Sequence, residues 1–181
     1  DVGASFQFVV DALPGRWRII APDWRGFGLS QWNEGAYWFP DYIADLDALL
    51  DIYSPEQAAN VVGHSMGGII ASLYAGIRPA RIARLASLEG FALWVSGAGE
   101  TPARFEKWLQ QIRNNDSAFR RYPNCAEFAA RLCRDNPRLQ AERASFIAEH
   151  SLLATTGDFV FSADPRHRWI NPVLYPLEEA K

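Results

Sequence analysis

Apolar positions along the first 90 residues follow two spacings, one typical of amphipathic helices and the other of short buried strands. Helical spacing is found in three segments, residues 6–13, 42–53 and 66–77. Short apolar runs that end at proline, glycine or polar residues predict three strands, at residues 17–21, 58–62 and 85–88. Helices and strands therefore alternate, which predicts an α/β fold with a parallel sheet and crossover helices.

The pattern changes after Glu89. Apolar residues recur at helical spacing between residues 105 and 153, and a short extended piece is predicted at residues 159–161. We therefore predict three parts along the chain. Residues 1–90 form a partial α/β core, residues 91–170 form an α-helical cap over the carboxyl edge of the sheet, and residues 171–181 lead into a further core strand.

The run GHSMG at residues 63–67 lies between a predicted strand and a predicted helix. A serine hydroxyl is a weak nucleophile, so it must be exposed to a base and to the substrate together. The Gly-x-Ser-x-Gly pattern does this by placing the serine on a sharp strand-to-helix turn, although the same pattern also occurs by chance on ordinary tight turns. We predict that Ser65 is a nucleophile and that the N–H of Met66 stabilises an oxyanion, because it lies at a helix N-terminus. His64 is predicted to point away from Ser65.

A second motif, DWRGFGLS at residues 23–30, follows the first predicted strand. It is interpreted as a glycine-supported turn in which Asp23, Arg25 and Ser30 form stiffening hydrogen bonds. With these two motifs in this order, the chain resembles the α/β-hydrolase superfamily, in the helical-cap branch that includes small esterases, carbon–carbon bond hydrolases, epoxide hydrolases and haloalkane dehalogenases. The resemblance covers residues 2–88 and extends more loosely through the cap.

The resemblance implies a catalytic triad in the chain order serine, acid, histidine. Glu89 follows a predicted strand, which is where some members of the branch have the acid. His150 and His167 come later in the chain, but His150 is expected to end a cap helix, where a histidine interacts favourably with the helix dipole. His167 lies between two arginines and is expected to be solvated. The family's acid more often follows a strand after the cap, so the alternative to Glu89 is an acid outside this chain. The histidine base and the second oxyanion donor are also expected outside this chain, which is expected to be truncated at both ends.

The resemblance also bears on the reaction. Epoxide hydrolases and dehalogenases of this branch have an aspartate where this chain has Ser65, so the resemblance implies a carboxylesterase-like serine hydrolase that cleaves a small ester, thioester or lactone through an acyl-enzyme. The alternatives are a carbon–carbon bond hydrolase, an acyltransferase or perhydrolase with the same nucleophile, and a non-catalytic fragment that retains the turn. Four aromatic residues after residue 90 either line an apolar substrate pocket or pack the cap: Phe91, Trp94, Phe105 and Trp108.

Composition excludes several other classes. The formal net charge is −3 and no basic stripe stands out, so we expect no nucleic-acid partner. No apolar run reaches the ~20 residues that cross a membrane, so we expect no membrane partner. The 23–30 motif has no nearby His or Cys, and neither a metal nor a cofactor is expected.

Cys125 and Cys133 would be about 12 Å apart along one helix, too far for a disulfide. A reducing, cytoplasmic environment follows, and no oligomeric state is predicted.

Overall fold

The computed structural model describes residues 2–90, 99–115 and 118–173. The chain divides into two compact units. One comprises Asp1–Ala36 and Asp116–Arg168, and the other comprises Tyr37–Asn115 and Trp169–Lys181. The predicted division into residues 1–90, 91–170 and 171–181 stays a prediction. Within the described ranges, no helix is both long and apolar enough to cross a membrane.

The elements are numbered in chain order. The helices are α1 (Gln7–Ala12), α2 (Phe39–Tyr53), α3 (Met66–Ile77), α4 (Thr101–Asn114), α5 (Cys125–Asp135) and α6 (Ala141–Ser151). The strands are β1 (Ala59–His64), β2 (Ile82–Leu88), β3 (Arg121–Tyr122), β4 (Leu152–Ala154) and β5 (Phe159–Phe161). A short 3-10 helix, Gly3–Phe6, precedes α1, so the first predicted helix begins in a tighter form.

In the unit that begins at Tyr37, β1 and β2 pair in parallel and α3 connects them, as the alternating pattern predicts. The register pairs Val62 with Ala86 and His64 with Leu88. Helix α3 contacts both strands. Its small and apolar residues include Ile70, which is fully buried, so packing against the sheet stabilises a segment with little polar surface.

Helix α2 packs against α3 and is amphipathic. Its first turn contains Pro40, which suits that position because the first helical N–H groups have no partner within the helix. Its buried face is formed by Tyr42, Leu46 and Leu50, at the i, i+4, i+8 spacing that the sequence predicts. Next to this buried face, the partly buried Asp47 accepts a 2.6 Å hydrogen bond from the hydroxyl of Tyr74 on α3.

The unit that begins at Asp1 contains α5, α6 and an antiparallel sheet in the order β3-β5-β4. The Asn124 side chain caps α5 by accepting a 2.9 Å hydrogen bond from the N–H of Glu127. The buried core between these elements is made by six residues: Tyr122, Phe128, Ala129, Ala144, Ala148 and Leu152. The predicted extended piece at residues 159–161 is confirmed as β5, the central strand of this sheet.

Two sequence predictions about these elements are wrong. Leu153 is not helical, because α6 ends at Ser151 and the chain turns at Gly157 (φ 90°) to bring β4 alongside β5. The strand predicted at residues 17–21 is not among the strands of the described residues. A strand needs a hydrogen-bonded neighbour, and here Trp17 and Ile20 are 57% and 43% exposed.

Candidate active site

Ser65 lies between the end of β1 and the start of α3 with φ 50° and ψ −119°. A positive φ is uncommon for a residue other than glycine, and such strain persists only where the surrounding structure enforces it. Two main-chain hydrogen bonds fix the turn. The N–H of Ser65 donates to the carbonyl oxygen of Leu88 (2.8 Å), and the N–H of Ile69 donates to the carbonyl oxygen of Ser65 (3.1 Å). Ser65 itself is exposed, so the turn presents a serine to solvent.

Glycines around this turn allow three backbone segments to approach closely. A Cβ atom on Gly63 would lie 2.5 Å from the carbonyl carbon of Gly67. A Cβ atom on Gly68 would lie 2.7 Å from Ser87 Oγ, and one on Gly90 would lie 2.6 Å from the carbonyl carbon of Gly68. No side chain fits at these positions without displacing backbone or Ser87. The Gly-x-Ser-x-Gly pattern identified the close approach of Gly63 to Gly67. The close approach of Gly90 to Gly68 was not predicted, although the position of Gly90 just after a predicted strand indicated a turn there.

Met66 is the first residue of α3. The first N–H groups of a helix have no acceptor within the helix, and the helix dipole places partial positive charge there. An oxyanion formed on a substrate attacked by the neighbouring Ser65 is therefore a suitable acceptor for the N–H of Met66. The position of Met66 agrees with its predicted role, and the role itself stays a prediction.

Glu89 directly follows β2 and is a second non-glycine residue with a positive φ, 55°. Its side chain is 85% exposed, and its Oε2 atom lies 3.5 Å from Nε2 of His64. Because Ser65 is hydrogen bonded to the residue that precedes Glu89, the structure brings the predicted acid to the serine turn. The contact with His64 was not predicted from the sequence, because it depends on the register of two strands.

The other two histidines belong to the unit that begins at Asp1. His150 is in the last turn of α6, as predicted, where its Nδ1 atom is hydrogen bonded to the carbonyl oxygen of Phe146 (2.8 Å). The prediction that His167 is solvated is wrong. Its ring stacks on Phe27 with centroids 4.1 Å apart, and burial lowers the pKa of His167 to about 4, against the opposing effect of the Asp164 carboxylate.

The loop at residues 23–30 forms the hydrogen bonds predicted for Asp23 and Ser30. Asp23 accepts from the N–H of Gly3 (2.6 Å) and from the N–H of Leu29 (2.9 Å). The hydroxyl of Ser30 donates to the carbonyl oxygen of Asp23 (2.7 Å). The carboxylate of Asp23 is thus occupied in closing its own loop, which fits the structural role predicted for this motif.

Of the predicted pocket residues, Trp108 and Phe105 are on α4, with ring centroids 6.2 Å apart in an edge-to-face arrangement. Trp108 also meets the ring of Trp38 at 6.4 Å, a residue that the sequence analysis did not single out. Phe91 and Trp94 lie outside the described residues. A substrate pocket lined by these side chains stays a prediction.

No group of three or more His, Cys, Asp or Glu side chains in the described part of the chain could hold a metal ion. Cys125 and Cys133 both lie on α5 and both are free thiols, as their predicted separation requires.

Comparison with known proteins assigns the chain to a family. A family model described as the alpha/beta hydrolase fold matches residues 1–175, and the chain belongs to this family. It is 27% identical to a serine hydrolase-like protein of Danio rerio over 185 aligned positions, which cover 99% of this chain and 56% of the relative. The chain thus spans about half the length of the curated relatives that it matches over its whole extent.

Solved structures agree with this assignment. A hypothetical protein of Pseudomonas aeruginosa PAO1 matches with a TM-score of 0.87 and 26% identity, over 99% of this chain and 64% of that one. The thioesterase domain from the curacin biosynthetic pathway matches with a TM-score of 0.82 and 25% identity, over 94% of this chain and 63% of that one.

Proposed function

We propose that the protein is a carboxylesterase-like serine hydrolase that cleaves a small ester, thioester or lactone through an acyl-enzyme on Ser65. The observation that carries this proposal is the strained, exposed conformation of Ser65 at the junction of β1 and α3. An ordinary structural serine gains nothing from such a backbone conformation, whereas a nucleophile needs the exposure that it provides. The serine hydrolase-like relative and the thioesterase neighbour support the same class of reaction.

In the proposed reaction the oxygen of Ser65 attacks the substrate carbonyl carbon while a histidine accepts the hydroxyl proton. The N–H of Met66 donates a hydrogen bond to the oxyanion of the tetrahedral intermediate. Collapse of the intermediate expels an alcohol or thiol, which takes the proton from the histidine and leaves the acyl-enzyme. Water, deprotonated by the same histidine, then attacks the acyl-enzyme. The carboxylic acid product is released, and the departing Ser65 oxygen takes the proton back from the histidine. This sequence of steps calls for neither a metal ion nor a cofactor.

Glu89 is the proposed acid of the triad, because it extends from the end of β2 beside the serine turn. Its exposed carboxylate can accept a hydrogen bond from the N–H of the catalytic histidine and hold that ring in the tautomer needed for proton transfer. Of the three histidines in the sequence, His64 contacts Glu89, His150 is bonded to its own helix, and His167 is stacked on the ring of Phe27. We therefore propose that the base is a histidine outside these residues.

The physiological setting is also a proposal. Free Cys125 and Cys133 fit a reducing compartment, and we propose a cytoplasmic location. The proposed partner is a small ester-like molecule. With a net charge of −3, the chain has no excess of basic residues to attract nucleic acid.

A fluorophosphonate probe tests the proposal, because it forms a covalent bond only with an activated serine. We expect the full-length protein to be labelled at Ser65 and to hydrolyse p-nitrophenyl acetate. Ser65→Ala should abolish both signals. Ser72→Ala should preserve both, because the Ser72 hydroxyl is already bonded to the carbonyl oxygen of Gly68 on the same helix. A folded protein that is neither labelled nor active would favour a non-catalytic module.

A further inference from the structure

Two parallel strands end side by side at the serine turn. In their register His64 pairs with Leu88, so the last residue of β1 lies beside the last residue of β2. The residues that follow them, Ser65 and Glu89, both have a positive φ. The Ser65 N–H bond to Leu88 ties the two strand ends together. The backbones of His64 and Glu89 are consequently fixed relative to one another.

The backbone at Glu89 is held from the other side as well. Gly90 lies so close to Gly68 on α3 that a Cβ atom there would be 2.6 Å from the Gly68 carbonyl carbon. Main-chain position alone, however, does not fix a carboxylate on a side chain with three rotatable bonds. The Glu89 side chain is 85% exposed, so packing against neighbours does little to select a rotamer. A specific polar contact is needed to do so.

The imidazole of His64 supplies this contact, with its Nε2 atom 3.5 Å from Oε2 of Glu89. The ring belongs to a strand residue whose main chain pairs with β2. Its position is therefore more restricted than that of another long exposed side chain would be. A carboxylate has two oxygens, and a contact of His64 with Oε2 leaves Oε1 to accept a hydrogen bond from a second imidazole.

We infer that His64 is a positioning residue for Glu89, which holds the acid in place for the catalytic histidine. This inference rests on the proposed function, because it assumes that Glu89 is the acid. His64 takes no part in bond making: it restricts the carboxylate to the orientation in which its other oxygen faces the base. Residues that orient a catalytic group typically change turnover by about 10-fold or more when they are replaced.

Steady-state kinetics of the full-length protein test the inference. His64→Phe keeps a planar ring but loses the nitrogen that meets Glu89, and it should lower kcat about 10-fold with little change in KM. His64→Gln keeps an N–H donor but on a more flexible side chain, so it should recover part of the lost kcat. His150→Phe is the matched control, because it replaces an exposed histidine on α6, and it should behave as the wild type. In a Glu89→Gln background, His64→Phe should cause little further loss.

Several outcomes would overturn the inference. His64→Phe with wild-type kcat would show that Glu89 needs no anchor, and His64→Gln as slow as His64→Phe would show that the nitrogen contact is not what matters. A change in KM alone would indicate a role in substrate binding instead. These results leave the Ser65 proposal intact as long as Ser65→Ala is inactive. If the wild type itself is neither labelled nor active, the proposed function fails and the inference fails with it.

The contact can also be tested without turnover. The 181 residues contain three histidines, and their ring Cε1–H signals can be assigned in an NMR spectrum of the full-length protein by substituting each in turn. Glu89→Gln should move the His64 signal and leave those of His150 and His167 in place. An unchanged His64 signal would overturn the inference even in an active enzyme.

Discussion

The main-chain N–H of Ser65 donates a 2.8 Å hydrogen bond to the carbonyl oxygen of Leu88, which joins the turn after β1 to the end of β2. Both the exposed serine and the carboxylate of Glu89 depend on this junction. The conformation of the site therefore follows from the pairing of two strands and not from the local turn alone.

Gly63→Ala should disrupt this junction. The added Cβ atom would be 2.5 Å from the Gly67 carbonyl carbon, and backbone atoms have little room to move in a packed site. We expect a loss of about 2 kcal/mol in the free energy of unfolding, measured by urea denaturation. Gly76→Ala is the matched control in α3. No atom lies within 4 Å of the Cβ that it adds, and alanine should stabilise the helix by about 0.5 kcal/mol. Equal effects of the two substitutions would contradict the close contact.

The buried hydroxyl of Tyr74 should contribute to stability through Asp47. Tyr74 is 1% exposed and donates a 2.6 Å hydrogen bond to the carboxylate, and burial together with this bond raises the pKa of Tyr74. Tyr74→Phe should lower the free energy of unfolding by about 1 kcal/mol. Asp47→Asn should cost less, because an amide oxygen can still accept the bond. A Tyr74→Phe protein as stable as the wild type would count against this interaction.

His167 should make stability depend on pH in the mildly acid range. Its pKa is about 4 in the folded protein and near 6.5 in an unfolded chain, so the unfolded state binds the proton more readily. The contribution is fully present above about pH 6.5 and is lost as pH falls toward 4. Allowing for partial exposure, it amounts to about 2 kcal/mol.

Comparison of wild type with His167→Gln isolates this effect, since other groups titrate equally in both. Denaturation midpoints measured between pH 4 and 7 should converge as pH falls, because the wild type loses the contribution that the variant lacks. A constant difference across this range would show that His167 keeps its charge state on folding.

In the isolated 181-residue chain, the face of the parallel pair opposite α3 should promote self-association. Ser87, in register with Gly63, meets α3 through Gly68, so the alternate positions Val62 and Leu88 lie on the opposite face. These two residues are 51% and 44% exposed, although parallel sheets are normally covered on both faces. We expect the 181-residue chain to form oligomers as its concentration rises.

Val62→Lys should shift this association toward the monomer, as measured by sedimentation velocity over a range of concentrations. Ile52→Lys is the control, because it also replaces an exposed apolar residue, 68% exposed, but on α2. If the two substitutions reduce association equally, a general effect of charge explains the result and the sheet face has no special part in it.

Much of the serine turn could be predicted from sequence, because the features that specify it are local. The glycines at 63 and 67 and the small residues of α3 lie within a few positions of Ser65. The contact between His64 and Glu89 could not be predicted in the same way. It depends on strand register and on where two side chains point, and neither is encoded in the spacing of a motif.

Errors in the sequence predictions have a similar origin. His167 was expected to be solvated because arginines flank it, yet the ring that buries it, Phe27, is distant in the chain. The apolar run at residues 17–21 has strand composition, but composition does not supply the neighbouring strand that hydrogen bonding requires. In both cases a long-range contact, or the lack of one among the described residues, decided the outcome.

The positive φ angles at Ser65 and Glu89 have an evolutionary consequence. Glycine adopts such a backbone without strain, so a glycine at either position would be less strained than the residue found there. A laboratory selection for heat resistance alone should therefore enrich glycine at 65 and 89, and a selection for turnover should bring serine and glutamate back. Applying the two selections in turn to one library of variants would show at which of the two positions the native residue is required for turnover.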